Sequence, residues 1–212
     1  MVCWGKGDRP MRLLYGTGNP GKIEAMRRAL IDVGIAIVSP DEAGVRHPAV
    51  DEIGRDPLEN ARLKAWAYFG LARTPVFSCD SGLYIEGLDD SRQPGVHVRN
   101  VEGRYLNDEE MIQHYSWIAR QRGGRCVARY KNAVCLILDE DTVYEHAGDD
   151  ISGEKFIISS VPHQKRRPGF PLDSLSIHIG SGQYYMDRPT LRVTTTYEGF
   201  REFFKRALNG AL

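Results

Sequence analysis

The run Met11-Arg12-Leu13-Leu14-Tyr15-Gly16-Thr17-Gly18-Asn19-Pro20-Gly21-Lys22 joins a short apolar segment to a glycine-rich turn and the start of a helix. Met11 to Tyr15 reads as a buried strand. Beyond the turn, Ile23, Met26, Leu30 and Ile31 recur at helical spacing. Asn19 is a favoured N-cap, and Pro20 is favoured just inside a helix start. Such a turn faces backbone N–H groups and a helix N-terminus toward an anion. Lys22, in the first helical turn, adds a full positive charge. The stretch predicts a phosphate site built from Thr17, Gly18, Asn19 and Lys22. It is not a Walker A loop, because the spacing is too short and no Ser or Thr follows the lysine. Its glycine spacing does not fit a dinucleotide fingerprint. Taken alone, it also fits an ordinary strand-to-helix turn with a surface lysine.

Outward from this point, Ile35 to Val38 reads as a strand, followed by a loop rich in Pro, Gly and acid to about Gly54. Leu58 to Leu71 reads as a helix, with Leu58, Ala61, Leu63, Ala65 and Tyr68 as candidate buried positions. Pro75 to Cys79 reads as a strand ended by Asp80-Ser81-Gly82, and Leu83-Tyr84-Ile85 as another. Gly87 to Tyr105 reads as irregular. Asn107 caps a helix from Asp108 to Ile118. Strands are expected at Arg125–Leu138, Thr142–Ala147 and Glu154–Val161, with turn signals that suggest antiparallel pairing. A helix from Tyr197 to Leu208 closes the chain, with Phe200, Phe203, Phe204 and Leu208 as its apolar stripe. Helix and strand alternate early and strands cluster late. The expected fold is therefore α/β: two lobes, with a central mixed β-sheet flanked by helices. Residues 1–10 read as a loose extension, and 11–212 as one domain.

With 212 residues, 42% hydrophobic and 26% charged, the chain has an ordinary globular composition and can bury a real core. Its formal net charge is zero, which gives no support to a generic nucleic-acid or membrane-surface binder. No apolar run approaches the ~20 residues of a membrane span. Cys3, Cys79, Cys126 and Cys135 show no metal-ligand spacing, and a reducing cytoplasm is the natural expectation. Cys79, Cys126 and Cys135 read as buried thiols. Arg27-Arg28 reads as a solvated helix face, whereas Lys165-Arg166-Arg167 lies between Pro162 and Pro168 in a loop. Trp66 and Trp117 read as core residues. His97, His163 and His178 lack His or Cys partners at metal spacing.

Two acidic features stand out. Asp51-Glu52 lies in the loop just before a helix. Asp80 stands at a predicted strand end beside a small hydroxyl, Ser81, and a glycine, a position suited to reaching a ligand in a cleft. Two convergent carboxylates with phosphate oxygens make the usual hard-oxygen shell for Mg²⁺. Singly, Asp80 also fits a turn residue and Glu52 a solvated charge.

Read together, these pieces resemble a known family. Thr17-Gly18-Asn19 with Lys22 comes first, then Glu52-Ile53-Gly54 leading into Glu59-Asn60-Ala61-Arg62-Leu63-Lys64-Ala65. Asp80-Ser81-Gly82-Leu83 and Pro94-Gly95-Val96 follow in order. The series resembles the inosine triphosphate pyrophosphatases, the non-canonical purine nucleoside triphosphate pyrophosphatases. Their pattern is T-G-N-x-x-K, E-T-G-x-x-x-x-E-N-A-x-x-K-A, D-D-S-G-L and P-G-V. Cys79 stands where the family has the first of its two aspartates.

The second half departs from the pattern. The family's G-F-G-Y-D-P is here Gly169-Phe170-Pro171-Leu172-Asp173-Ser174. Thr196-Tyr197-Glu198-Gly199 takes the place of the family's S-H-R-G, which sets Arg192 at its lysine. Tyr197 and Glu198 then replace a His-Arg pair. Arginine only donates hydrogen bonds and suits a keto oxygen; a carboxylate only accepts and suits an amino group or a ring N–H. The resemblance thus implies hydrolysis of a purine nucleoside triphosphate to monophosphate and pyrophosphate, with altered base choice. It implies Mg²⁺ on Glu52 and Asp80, with Asp80 activating water. Phosphate contacts fall to Lys22, the Thr17–Asn19 backbone, Lys64 and Arg192. Base contacts fall to Phe170, Asp173, Tyr197 and Glu198. Ser81 completes the substrate site. A homodimer is implied too, with neither membrane nor nucleic-acid polymer as partner. The alternatives are a non-catalytic nucleotide-binding protein and a structural protein on the same fold.

Overall fold

The computed structural model describes residues 10–187 and 195–209. The expected loose extension, apart from Pro10, and Arg192 lie outside the described residues, as does Cys3. The elements in order are β1 (Met11–Tyr15), α1 (Pro20–Ala29), β2 (Ile35–Val38), α2 (Pro57–Ala72), β3 (Val76–Ile85), β4 (Asn100–Val101), β5 (Arg104–Tyr105), α3 (Asp108–Gln121), β6 (Arg125–Ile137), β7 (Val143–Ala147), β8 (Phe156–Ser159), β9 (Ser176–His178) and α4 (Thr195–Leu208). The main sheet runs β2-β1-β3-β6-β8-β9, with β7 also paired to β6. β1 pairs in parallel with β2 and β3, and every later pairing of this sheet is antiparallel. This is the mixed, helix-flanked α/β sheet that the alternation of elements predicts. No described helix is long and apolar enough to cross a membrane.

Three apolar clusters hold the sheet. One face buries Leu13, Tyr15, Phe77 and Val134 under Ile23 and Met26 of α1 and Phe200, Phe203 and Phe204 of α4. The other face at the same end sets Leu14, Val76, Cys135 and Ile137 against Ala61, Ala65, Tyr68 and Phe69 of α2. A third cluster joins Leu83, Ile85 and Ala128 to Met111, Ile112 and Tyr115 of α3. The α4 stripe lands as its spacing predicts. The family-like glycine in α4 has a packing reason: a Cβ on Gly199 would collide with the Asp150 carbonyl oxygen.

Several expectations need correction. Asp80 does not end a strand. β3 runs unbroken for ten residues, and each of them pairs with β6, from Val76–Ile137 to Ile85–Ala128. Full pairing on that side lets Asp80-Ser81-Gly82 stay extended. Trp66 and Trp117 are not core residues, being 38% and 50% exposed. Leu63 and Ile31 also face solvent. Arg27 is not simply solvated; its guanidinium donates to the Ile37 carbonyl and pairs with Glu42. The segment 87–105 contains a 3-10 turn and the β4–β5 hairpin. β9 was not anticipated.

Candidate active site

The site forms where β1 parts from β3. β1 leaves after the Tyr15–Phe77 pair, and the Leu83–Gly95 bridge takes up that edge further along. Cys79, Asp80 and Ser81 lie in the gap. Strand alternation points Asp80 toward α2, with Cys79 and Ser81 toward the opposite face. Asp80 is 6% exposed. Its Oδ1 accepts from Lys64 Nζ at 2.7 Å and its Oδ2 from Asn60 Nδ2 at 3.0 Å.

Asn60 and Lys64 are one helical turn apart on α2, so both reach the same strand. Asp56 starts this helix by capping Leu58 and Glu59, with Pro57 in the first turn. Asn60 is 1% exposed, and its Oδ1 accepts from the Gly54 N–H at 2.8 Å. One amide therefore ties the loop carrying Glu52 to the carboxylate of Asp80. Glu52 Oε2 lies 3.6 Å from Lys64 Nζ on the other side. An ammonium thus bridges the two predicted metal ligands. Among the described residues, no group of three or more His, Cys, Asp or Glu side chains converges. The donors available for a hard cation are these two carboxylates, a set that suits Mg²⁺ when phosphate oxygens complete the shell.

The glycine-rich loop lies at the end of β1. Ser78 on β3 donates to the Gly16 carbonyl. Cβ positions on Gly16 would fall 2.7 Å from Ser78 Oγ and from Tyr68 Cδ2, so only glycine fits there. The Asn19 side chain accepts from the N–H groups of Gly21 and Lys22 at 2.9 and 3.2 Å. The Asn19 N–H donates to Thr17 Oγ1 at 3.2 Å. Part of the expected N–H cradle is therefore satisfied within the loop, leaving Lys22 and the exposed Gly18 to meet an anion.

Cys79 faces the core beside Tyr15. Burial pushes its thiol up to about 12, against the pull of a Tyr15 hydrogen bond and of Lys22 and Lys64. It is an inert thiol on the face opposite Asp80. Ser81 Oγ donates to Asn132 Oδ1 at 2.7 Å, and Asn132 Nδ2 donates to the Ile151 carbonyl at 2.7 Å.

Phe170 is 39% exposed, and its Cζ is 3.9 Å from where a Cβ on Gly21 would lie. The structure thus brings the aromatic of the C-terminal half up to the glycine-rich loop. The Arg167 guanidinium sits 4.3 Å from the Phe170 ring centroid, and its Nη1 pairs with the buried Asp173 at 3.2 Å. Asp108 accepts from the Gly169 N–H at 2.7 Å and from Arg99 at 2.7 Å, which anchors this loop on α3. Tyr197 packs on the α1–α4 core, and Glu198 is exposed in the first turn of α4. They do not join the Asp80 cluster directly. Gly199 rests on Asp150, whose neighbour Ile151 is the residue that Asn132 links to Ser81.

Sequence reasoning gave no site role to Asn60, Tyr68, His47, Asn132 or Arg167. For Asn60 the signal was its place in the Glu59-Asn60-Ala61 motif, one helical turn from Lys64, and Tyr68 was read only as a buried helix position. The others depend on strand pairing and loop paths.

The model of the Ham1 family matches residues 13–173. A dITP/XTP pyrophosphatase of Rhodopseudomonas palustris is 31% identical over 138 residues, 63% of this chain and 64% of that protein. The chain thus spans just under two-thirds of the length of that relative. A HAM1 protein structure from Coxiella burnetii superposes with TM-score 0.70 at 22% identity, covering 95% of this chain and 100% of that one. A dITP/XTP pyrophosphatase structure from Mycobacterium abscessus gives TM-score 0.59 at 22% identity, covering 95% of this chain and 99% of that one. Fold and motifs lead to one assignment, and the chain belongs to the Ham1 family, the family of the inosine triphosphate pyrophosphatases.

Proposed function

We propose that this protein is a nucleoside triphosphate pyrophosphohydrolase, cleaving a purine (d)NTP to monophosphate and pyrophosphate. The carrying observation is the Glu52–Lys64–Asp80 cluster, clamped by Asn60, beside the Gly16–Lys22 loop. Water attack on a phosphoanhydride needs charge neutralisation and a placed proton acceptor. Lys22 and Lys64 supply the first, with Arg192 as a further phosphate ligand. Asp80 accepts the proton of the water that attacks between the α- and β-phosphates. Mg²⁺, held by Glu52 and Asp80, would neutralise triphosphate charge and acidify that water. Cys79 leaves the two carboxylates intact, because its side chain lies on the other face of β3.

Base recognition falls to Phe170 with Arg167 and Asp173, and to Tyr197 and Glu198 at the start of α4. Arg167 can only donate and Glu198 can only accept. The pair favours a purine that offers both a keto oxygen and an exocyclic amine. This reading places the site in a cleft between two lobes of a cytoplasmic homodimer; sedimentation tests the dimer.

The test is pyrophosphate release with Mg²⁺ across inosine, xanthosine, guanosine, adenosine and modified-purine triphosphates, in ribo and deoxy forms. The expected result is turnover of a purine that Asp80→Asn abolishes. Nucleotide-dependent stabilisation with no turnover would make this a binding protein instead.

A further inference from the structure

The ring of His47, in the loop between β2 and α2, closes the back of the phosphate loop. A Cβ on Gly18 would meet both Cε1 and Nδ1 of His47 at 3.4 Å. Nδ1 is 2.9 Å from the Tyr68 hydroxyl, and Nε2 is 3.2 Å from Asp41 Oδ1. Tyr68 is 5% exposed, and the same ring backs Gly16. Two linked aromatic side chains therefore brace the glycines on either side of Thr17. Gly16 has no room for a Cβ beside Tyr68, and Gly18 leaves the His47 ring in close contact with the turn.

Asp41 only accepts, so Nε2 donates to it, and Nδ1 accepts from the Tyr68 hydroxyl. The groups facing the ring are Asp41 on its own loop, Tyr68 on α2 and the Gly18 turn leading to Lys22.

We propose that His47 is a positioning residue for the triphosphate: held by Asp41 and Tyr68, its ring braces Gly18 and so fixes the loop that carries Lys22. This rests on reading Gly16–Lys22 as the phosphate loop. The ligand class is a polyphosphate, whatever base it carries.

Calorimetric titration with inorganic tripolyphosphate tests it on wild type, His47→Ala and Tyr68→Phe. His47→Ala removes the ring behind Gly18, and Tyr68→Phe removes only the hydroxyl that holds Nδ1. His47→Ala weakens binding about fivefold, and Tyr68→Phe weakens it by less. In turnover of a nucleoside triphosphate, KM rises for His47→Ala while kcat holds. Equal binding by wild type and both variants, or a fall in kcat with KM unchanged, would overturn the proposal. If His47→Ala melts early, Tyr68→Phe carries the test. Tripolyphosphate binding that depends on His47, with no turnover of any nucleoside triphosphate, sinks the hydrolase reading and keeps this one. Nucleotide turnover with no dependence on His47 does the reverse.

Discussion

Lys64 Nζ and Asp80 Oδ1 meet at 2.7 Å, with side chains only 12% and 9% exposed. A pair this enclosed is held together by the cost of leaving either charge alone. Removing the ammonium by Lys64→Met strands the carboxylate and is expected to cost about 3 kcal/mol. Removing both charges, in Lys64→Met with Asp80→Asn, recovers part of that loss. Urea denaturation of the four proteins measures the coupling, expected at about 1–3 kcal/mol. Additive losses would mean that the two groups do not sense each other.

Asn60 ties the two halves of the acidic cluster, so its truncation has two consequences. Asn60→Ala leaves the buried Gly54 N–H and the Oδ2 side of Asp80 without their partner. A stability loss of about 1–3 kcal/mol follows. Gly54 lies two residues from Glu52, so on the proposed metal reading the affinity for Mg²⁺ also weakens. The check is the Mg²⁺ concentration for half-maximal pyrophosphate release, which rises in Asn60→Ala and stays put in the nearby surface variant Arg55→Ala.

The glycines of two helices separate packing from propensity. Gly70 is interior to α2, and a Cβ there meets nothing within 4 Å. Gly70→Ala is therefore expected to stabilise by about 0.5–1 kcal/mol through helix propensity alone. Gly199→Ala would drive a Cβ into the Asp150 carbonyl and displace the start of α4. It lowers the melting temperature and disturbs the link running through Ile151 and Asn132 to Ser81. Paired thermal melts decide both signs.

Much of this was legible because it is local. The β1–turn–α1 unit carries its own caps and periodicity, so Thr17–Lys22 lands where the pattern puts it. Asp80 and Lys64 were legible as members of ordered motifs. What they do to each other was not, since their 2.7 Å contact depends on how α2 lies across β3. Asp80-Ser81-Gly82 read as a turn because those residue types favour one, yet β6 pairs with each of them and tertiary pairing overrides propensity. Trp66 and Trp117 read as core because bulk usually is; helix orientation decides exposure. His47 carried no signal at all, as its loop has no periodicity to place it beside Gly18.

The loop carrying Phe170 has a charge-dependent anchor. Asp108 is held below its ordinary value of 3.8, first by the Gly169 N–H and then by Arg99. A depressed carboxylate contributes fully above the unfolded value and loses its contribution as pH falls through the folded one. The anchor is thus intact at neutral pH and is lost only in acid, as pH falls through a folded value that lies below 3.8. Asp108→Asn removes the anchoring charge at every pH. Amide exchange at Gly169 is expected to be faster in Asp108→Asn at pH 7 and to converge with wild type in strong acid. KM for the nucleotide rises with it.

The Arg167 guanidinium lies 4.3 Å from the centroid of the predicted stacking ring of Phe170, and Asp173 fixes its direction. A donor that meets a keto oxygen loses that bond against adenine, where an amino group faces it, at a cost of about 1–3 kcal/mol. Arg167→Ala should therefore lower kcat/KM for keto purines by roughly tenfold or more while leaving adenosine triphosphate nearly unchanged. Glu198→Gln should act on the other contact, reducing preference for a base with an exocyclic amine over inosine. Measuring kcat/KM for inosine, guanosine and adenosine triphosphates in each variant separates the two. If Arg167→Ala scales every base equally, the guanidinium only props Phe170, and base choice lies elsewhere in the site.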